Sequence, residues 1–254
     1  MTKTFQNKVA LITGATGGIG KETALTLAER GVKVVISGRR RELGNQVVDE
    51  IIVKGGEALF VTSDIGNEQE VQELIKKTVS HFGKLDILVN NAGIYLETVP
   101  VAQADGELFE KMLQTNVMGV FYTMKYAIQQ MQEQGHGGAI VNLASTAGLN
   151  GIPYGGPYAA TKHAVVGLTK SAAIEYAPEN IRVNAVAPGA IKTDSIAQFI
   201  EQGTYDENMI IQMHPMMRMG RPQEIADAIV WLSSDEASFA TGTILNVDGG
   251  FTAK

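Results

Sequence analysis

Short apolar runs alternate along the chain with longer segments of helical period. "KVALIT" (8–13) is β-branched and apolar and ends in glycines, the pattern of a parallel strand buried on both faces. A helical segment from about Gly18 to Arg30 follows, and Gly31 stops it. The alternation then repeats. Strand "KVVIS" (33–37) precedes a polar helix over about 40–54, and strand "ALFVTSD" (58–64) precedes a helix over 68–82. "LDILVNNAG" (85–93) reads as a fourth strand entering a loop, and a long helical region covers about 105–133. "AIVNLAS" (139–145), a helix over about 157–177 and "IRVNAVAPG" (181–189) come next. A helix over 223–234 and a last strand, "TILNVDGG" (243–250), complete the series. Strands alternating with helices of this length predict right-handed crossovers and one doubly wound α/β sheet. About seven parallel strands of the Rossmann type would have helices on both faces.

Composition narrows the function classes. The 254 residues hold 44% hydrophobic and 19% charged side chains, a globular balance, and no Pro/Gly/Ser-rich linker divides them, so a single domain over 1–254 is expected. A net charge of −6 argues against a nucleic-acid partner. The absence of cysteine excludes disulfides, thiol catalysis and thiolate metal sites. "MTKTFQNKVALITG" lacks the hydrophobic region of a secretory signal, and no apolar run is long enough to span a membrane. A cytoplasmic location is the expectation.

"TGATGGIG" (13–20) follows the first strand and opens the first helix, with Gly14, Gly18 and Gly20 spaced G-x3-G-x-G. This is not the G-x-G-x-x-G fingerprint, but glycines at a helix N-terminus still bring backbone N–H groups close to a pyrophosphate. An NAD site wants a carboxylate at the end of the second strand, and an NADP site wants a cation. The chain reads "VVISGRRR" there, with Gly38 in the acid's place and Arg39 next. NADP(H) is therefore preferred and NAD(H) remains possible; alternatively Arg39, Arg40 and Arg41 begin a solvated helix.

"PYAATKHA" (157–164) places Tyr158 and Lys162 one helical turn apart in an otherwise small and apolar segment. A free phenol has a pKa of about 10, too high to shuttle protons near neutrality, and a neighbouring cation lowers it. Ser145 ends the fifth strand thirteen residues earlier, at the edge where such sheets bind ligands. His81, His136, His163 and His214 show no metal-ligand spacing, and no metal site is expected. Residues 194–220 lack a strong period and hold Met209, Met213, Met216, Met217 and Met219, read either as an adaptable wall for an apolar ligand or as core filling.

"TGATGGIG", "NNAG" (90–93), Asn116 in "NVMG", Ser145, "YAATK" (158–162) and "PGAIKT" (188–193), in this order, make the chain resemble the short-chain dehydrogenase/reductase family over nearly its whole length. The resemblance implies a reversible carbonyl–alcohol interconversion on a small molecule by hydride transfer. Tyr158 would be the acid/base, Lys162 the holder of the nicotinamide ribose, Ser145 the orienter of the carbonyl, and Asn116 the support of a proton relay to the lysine. On the cofactor side it implies Gly14, Thr16, Gly18, Ile19 and Gly20 of the turn, then Arg39, Asp64 and Ile65. Asn90, Asn91, Ala92 and Gly93 of the fourth-strand loop would follow, and Pro188, Gly189, Ile191 and Thr193 would hold the carboxamide. Residues 194–220 match the substrate lid. A homotetramer, or a dimer, is the implied assembly, packed through the helices near 105–133 and 157–177. The departures are small: Ala144 stands where relatives often carry a serine, and Pro157 where many 3-oxoacyl-carrier-protein reductases have asparagine. Two other readings stay open: an NAD-dependent alcohol, sugar or steroid dehydrogenase, and a non-catalytic nucleotide-binding regulator.

Overall fold

The computed structural model describes residues 5–201 and 203–253. Residues 1–4 of the leader reading, residue 202 of the lid segment and residue 254 lie outside the described residues. The strands are β1 (Val9–Thr13), β2 (Lys33–Gly38), β3 (Ala58–Thr62), β4 (Ile87–Asn90), β5 (Gly138–Leu143), β6 (Ile181–Pro188) and β7 (Ile244–Val247). They form one sheet in the order β3-β2-β1-β4-β5-β6-β7, and every pairing is parallel. The order reverses between β1 and β4, so a crevice opens there at the carboxyl ends of the strands.

The pleat sends alternate residues of each strand into two separate cores. Ala10 and Ile12 of β1, with Val34 and Ile36 of β2, pack on α1 (Gly18–Glu29), α2 (Arg41–Val53) and α9 (Pro222–Ser233). Leu11, Val35, Leu88 and Ile140 face the other way, onto α3 (Glu68–Phe82), α5 (Gly119–Gln134) and α6 (Gly156–Tyr176). Both faces are covered, which is why β1 is buried at every position and reads as an unbroken apolar run. The helix boundaries follow local chemistry. The Asn67 side chain accepts from the Gln69 and Glu70 amides to start α3, and Gly83, with φ of 84°, ends it.

Two regions carry more detail than their period indicates. The region 105–133 is not one regular helix: α4 (Gly106–Leu113) passes through a π-turn at Gln114–Met118 into α5. The π-turn carries Asn116, whose side-chain bonds reach outside the helix. The lid segment, which lacks a clear period, contains α7 (Asp194–Glu201) and α8 (Glu207–Gln212), the second started by the Asp206 side chain. Within it, core filling describes only Met219, because Met209, Met213, Met216 and Met217 are exposed.

Candidate active site

The parallel register aligns the carboxyl ends of β1, β4, β5 and β6, and the loops leaving them converge. Gly14 leaves β1 with φ of +64°, and a Cβ there would come within 2.7 Å of the Ala92 Cα. Only glycine meets both demands. The Asn91 amide bonds the Thr13 and Gly14 carbonyls, and the Thr13 hydroxyl accepts from the Asn91 and Ala92 amides. The glycine turn and the fourth-strand loop are thus locked together. Gly17 begins α1 without a side-chain cap, leaving its first N–H groups for a ligand. Gly18 lies against the Thr193 methyl, 3.3 Å from where its own Cβ would be, while Ile19 packs on the core below. These features fit a dinucleotide pyrophosphate.

The arginine of the turn is Arg40 rather than Arg39. Arg40 Nε and Nη2 donate to Thr16 Oγ1 at 3.2 and 2.8 Å, which lays the guanidinium across the glycine turn. Arg39 points instead toward Asp64, 4.0 Å away, in an exposed pair of little energetic weight. At Gly38 a Cβ would approach the Thr16 methyl to 2.8 Å, so the end of β2 has no room for an acidic side chain. Asp64 accepts from the Gly66 amide and shapes the turn after β3, and Ile65 is buried against Gly119.

Between the sheet and its helices runs a buried polar chain. The Thr123 hydroxyl donates to Asn90 Oδ1, Asn90 Nδ2 donates to Asn142 Oδ1, and Asn142 Nδ2 donates to the Thr169 hydroxyl. It ties α5, β4, β5 and α6 with each of these groups bonded, as buried polar groups require. A second knot forms at Asn116, which has no exposed surface. Its Oδ1 accepts from the Ile94 amide at 2.8 Å, and its Nδ2 donates to the Ile94 carbonyl at 2.8 Å and to Thr161 Oγ1 at 3.2 Å. The Thr161 hydroxyl donates in turn to the Tyr158 carbonyl at 2.7 Å. Asn116 therefore holds the fourth-strand loop against the first turn of α6.

That turn begins at Gly156, with Pro157 early in the helix where its missing N–H costs nothing. It brings Tyr158 and Lys162 onto one face. The Lys162 ammonium lies 5.7 Å from the centre of the Tyr158 ring and donates to the Leu143 carbonyl at 2.8 Å. Ser145 follows β5 and lies beside the Tyr158 hydroxyl, where its side chain favours the phenolate. Gly93 completes the group: its absent Cβ would sit 3.4 Å from Asn116 Oδ1 and 3.5 Å from Lys162 Nζ. The five residues Gly93, Asn116, Ser145, Tyr158 and Lys162, far apart in the chain, meet at the switch-point edge.

The electrostatics differ from the expected acidified phenol. Burial pushes the Tyr158 hydroxyl up to about 12, the Ser145 side chain opposes this, and the nearby Tyr95 and Tyr205 add to it. Burial pushes the Lys162 ammonium down to about 8. Desolvation dominates at both groups, because both are withdrawn from water together.

Three further residues frame the site without a sequence motif to mark them. The Tyr95 ring stands edge-on to Tyr158 with centroids 4.9 Å apart. The Thr98 hydroxyl donates to the Tyr95 hydroxyl at 3.2 Å and lies 3.5 Å from the hydroxyl of the lid residue Tyr205. Pro188, Gly189, Ile191 and Thr193 leave β6 as a loop clamped from behind: Lys192 donates to the Gly220 carbonyl and Gly220 to the Ala190 carbonyl. Among the described residues no cluster of metal-ligating side chains occurs, and no helix is long and apolar enough to cross a membrane.

Comparison with known proteins agrees with this geometry. Residues 14–252 match the family described as enoyl-(acyl carrier protein) reductase. The cyclohexanol dehydrogenase of Acinetobacter sp. is 44% identical over 254 residues, covering 100% of this chain and 98% of its own. The 3-oxoacyl-[acyl-carrier-protein] reductase of Synechocystis sp. is 41% identical, covering 96% of both. The solved structure of ElxO with NADP bound superposes with a TM-score of 0.91 at 40% identity, covering 97% of this chain and 99% of that one. The chain belongs to the short-chain dehydrogenase/reductase family and is an oxidoreductase interconverting alcohols and carbonyl compounds.

Proposed function

We propose that the protein interconverts a ketone and its secondary alcohol with NADP(H), and that Tyr158 carries the proton. The observation that carries this reading is the Tyr158 hydroxyl beside Ser145 and a buried Lys162, at the edge where the glycine turn opens. When bound, the nicotinamide cofactor supplies or accepts the hydride. Ser145 holds the carbonyl oxygen. Tyr158 gives its proton to that oxygen in reduction and takes one from the alcohol in oxidation. Lys162, still largely an ammonium at neutral pH, binds the nicotinamide ribose and favours the phenolate as it forms. Asn116 keeps Gly93 and the Tyr158 turn in register for the relay to Lys162.

On the nucleotide side, Gly14, Thr16, Gly18, Ile19 and Gly20 line the pyrophosphate. Asp64 and Ile65, with Asn91, Ala92 and Gly93, flank the adenosine. Pro188, Gly189, Ile191 and Thr193 hold the carboxamide. Preference for NADP(H) over NAD(H) rests on Arg40 across the turn and on the crowding at Gly38 that excludes an acid. Arg40 takes the role first expected of Arg39.

The chain is read as one domain with a lid over 194–220, acting in the cytoplasm as a homotetramer or dimer. Exposed Phe121 on α5 and Ile174 on α6 support an assembly through those helices. The relative named for cyclohexanol makes alicyclic alcohols the first substrates to try. Cofactor absorbance is followed with alicyclic and linear ketones and alcohols, each with NADP(H) and NAD(H). Turnover with NADP(H) is expected; tight nucleotide binding with no turnover across the panel would favour the non-catalytic regulator.

A further inference from the structure

His214 sits where three segments meet, and no motif marks it. It is 4% exposed. Its Nδ1 lies 2.8 Å from the Ile210 carbonyl in α8, and its Nε2 accepts from the Ala190 amide at 3.1 Å. A carbonyl only accepts and an amide N–H only donates, so the partners dictate the tautomer: proton on Nδ1, lone pair on Nε2. The loop after β6 is shaped around this ring, since a Cβ on Gly189 would come within 2.7 Å of Nε2. From the loop after β7, Phe251 packs its ring at 5.4 Å and Gly249 lies against the histidine Cβ. One neutral imidazole thus joins the Pro188–Thr193 loop, the lid and the carboxyl-terminal loop.

We infer that His214 is a positioning residue for the cofactor, holding the Ala190 amide through Nε2 and with it the Pro188–Thr193 loop in the nicotinamide-binding conformation. The inference rests on the assignment of that loop under Proposed function. The charged groups facing the ring are few. Asp248 lies on the loop after β7, and Arg218 and Glu224, paired with each other, border the same small cavity of about 130 Å³ behind the loop. From the loop after β6, Gly189 and Ala190 reach the ring, and Lys192 pairs with Glu207 of α8. Burial raises the Asp248 carboxyl, but bonds from the Thr252 hydroxyl and the Thr252 and Gly250 amides, with His214 nearby, hold it below its ordinary value.

Two variants separate the two bonds of the ring. His214→Gln places an acceptor near the Nε2 position, while His214→Asn places a donor near Nδ1 and leaves the Ala190 amide without a partner. The first measurement needs no nucleotide: hydrogen exchange of the Ala190 amide should stay slow in wild type and H214Q and accelerate in H214N. The second is NADPH affinity. H214N should bind about tenfold more weakly than wild type near pH 8, the scale of one lost hydrogen bond, and H214Q within about twofold. Equal exchange in the two variants, or equal NADPH affinities for H214N and H214Q, overturns the inference. The expected exchange pattern in a wild type that binds no dinucleotide overturns instead the cofactor assignment beneath it, and the positioning role with it.

Discussion

Around Asn116 the polar side chains are buried and bonded, and the bonds cross between β4, β5, α5 and α6. From Asp194 to Gly220, at the same edge of the sheet, four methionines stand exposed, and the Tyr205 hydroxyl lies 3.5 Å from the Thr98 hydroxyl. The first region can adopt one arrangement only, because any displacement strands a buried donor or acceptor. The second can repack around different partners at small cost. On the proposed reading the chemistry belongs to the rigid side and substrate choice to the adaptable side.

The sharpest break in that contrast is Tyr158→Phe. It should lower turnover by about a thousandfold or more while nucleotide affinity stays within a few-fold, as steady-state rates and equilibrium binding would reveal. Turnover within about tenfold of wild type would remove the phenol from the chemistry.

Arg40→Ala should weaken NADPH relative to NADH by about ten- to a hundredfold, the loss of a charge-assisted contact, and Arg39→Ala by less than about threefold. Competitive titration with both nucleotides decides between the two arginines; equal losses would show that neither reads the phosphate.

Asn116→Ala strips partners from both Ile94 backbone groups and from Thr161. A destabilisation of about 1–3 kcal/mol is expected by denaturant titration, with a fall in turnover larger than stability alone explains. Lys162→Met sharpens the electrostatic side. The folded-state ammonium is depressed to about 8 from an ordinary 10.5, so wild type carries a burial penalty below pH 8 that fades as pH rises toward 10.5. Wild type should therefore gain stability relative to the variant across that interval, and parallel melting curves would refute the depressed value.

The smallest effect belongs to the lid. Met209→Ala or Met217→Ala should change stability by less than about 0.5 kcal/mol, yet alter the ranking of ketones by KM. An unchanged ranking would take these methionines out of substrate choice.

Much of this was legible in the residues. Strand and helix order, the parallel sheet and the grouping of Ser145, Tyr158 and Lys162 follow from period, glycine placement and a one-turn spacing. What the spacing left open has physical causes. Arg39 and Arg40 are neighbours in sequence and equivalent in type, and only the path of the chain at Gly38 turns Arg40 onto Thr16. The π-turn at Gln114–Met118 leaves no compositional trace, since it arises from Asn116 bonding Ile94. His214 and Tyr205 lie in a segment whose weak period hides α7 and α8.

Local propensity and spacing depend on neighbours along the chain, so the sequence alone determined the alternating elements, the glycine turn and the helical face that pairs a phenol with an amine. Which buried group prevails electrostatically, which arginine faces the turn and which histidine holds the loop after β6 depend on atoms some twenty residues apart in the chain. Desolvation and hydrogen-bond closure act through space, and only the tertiary structure decided them.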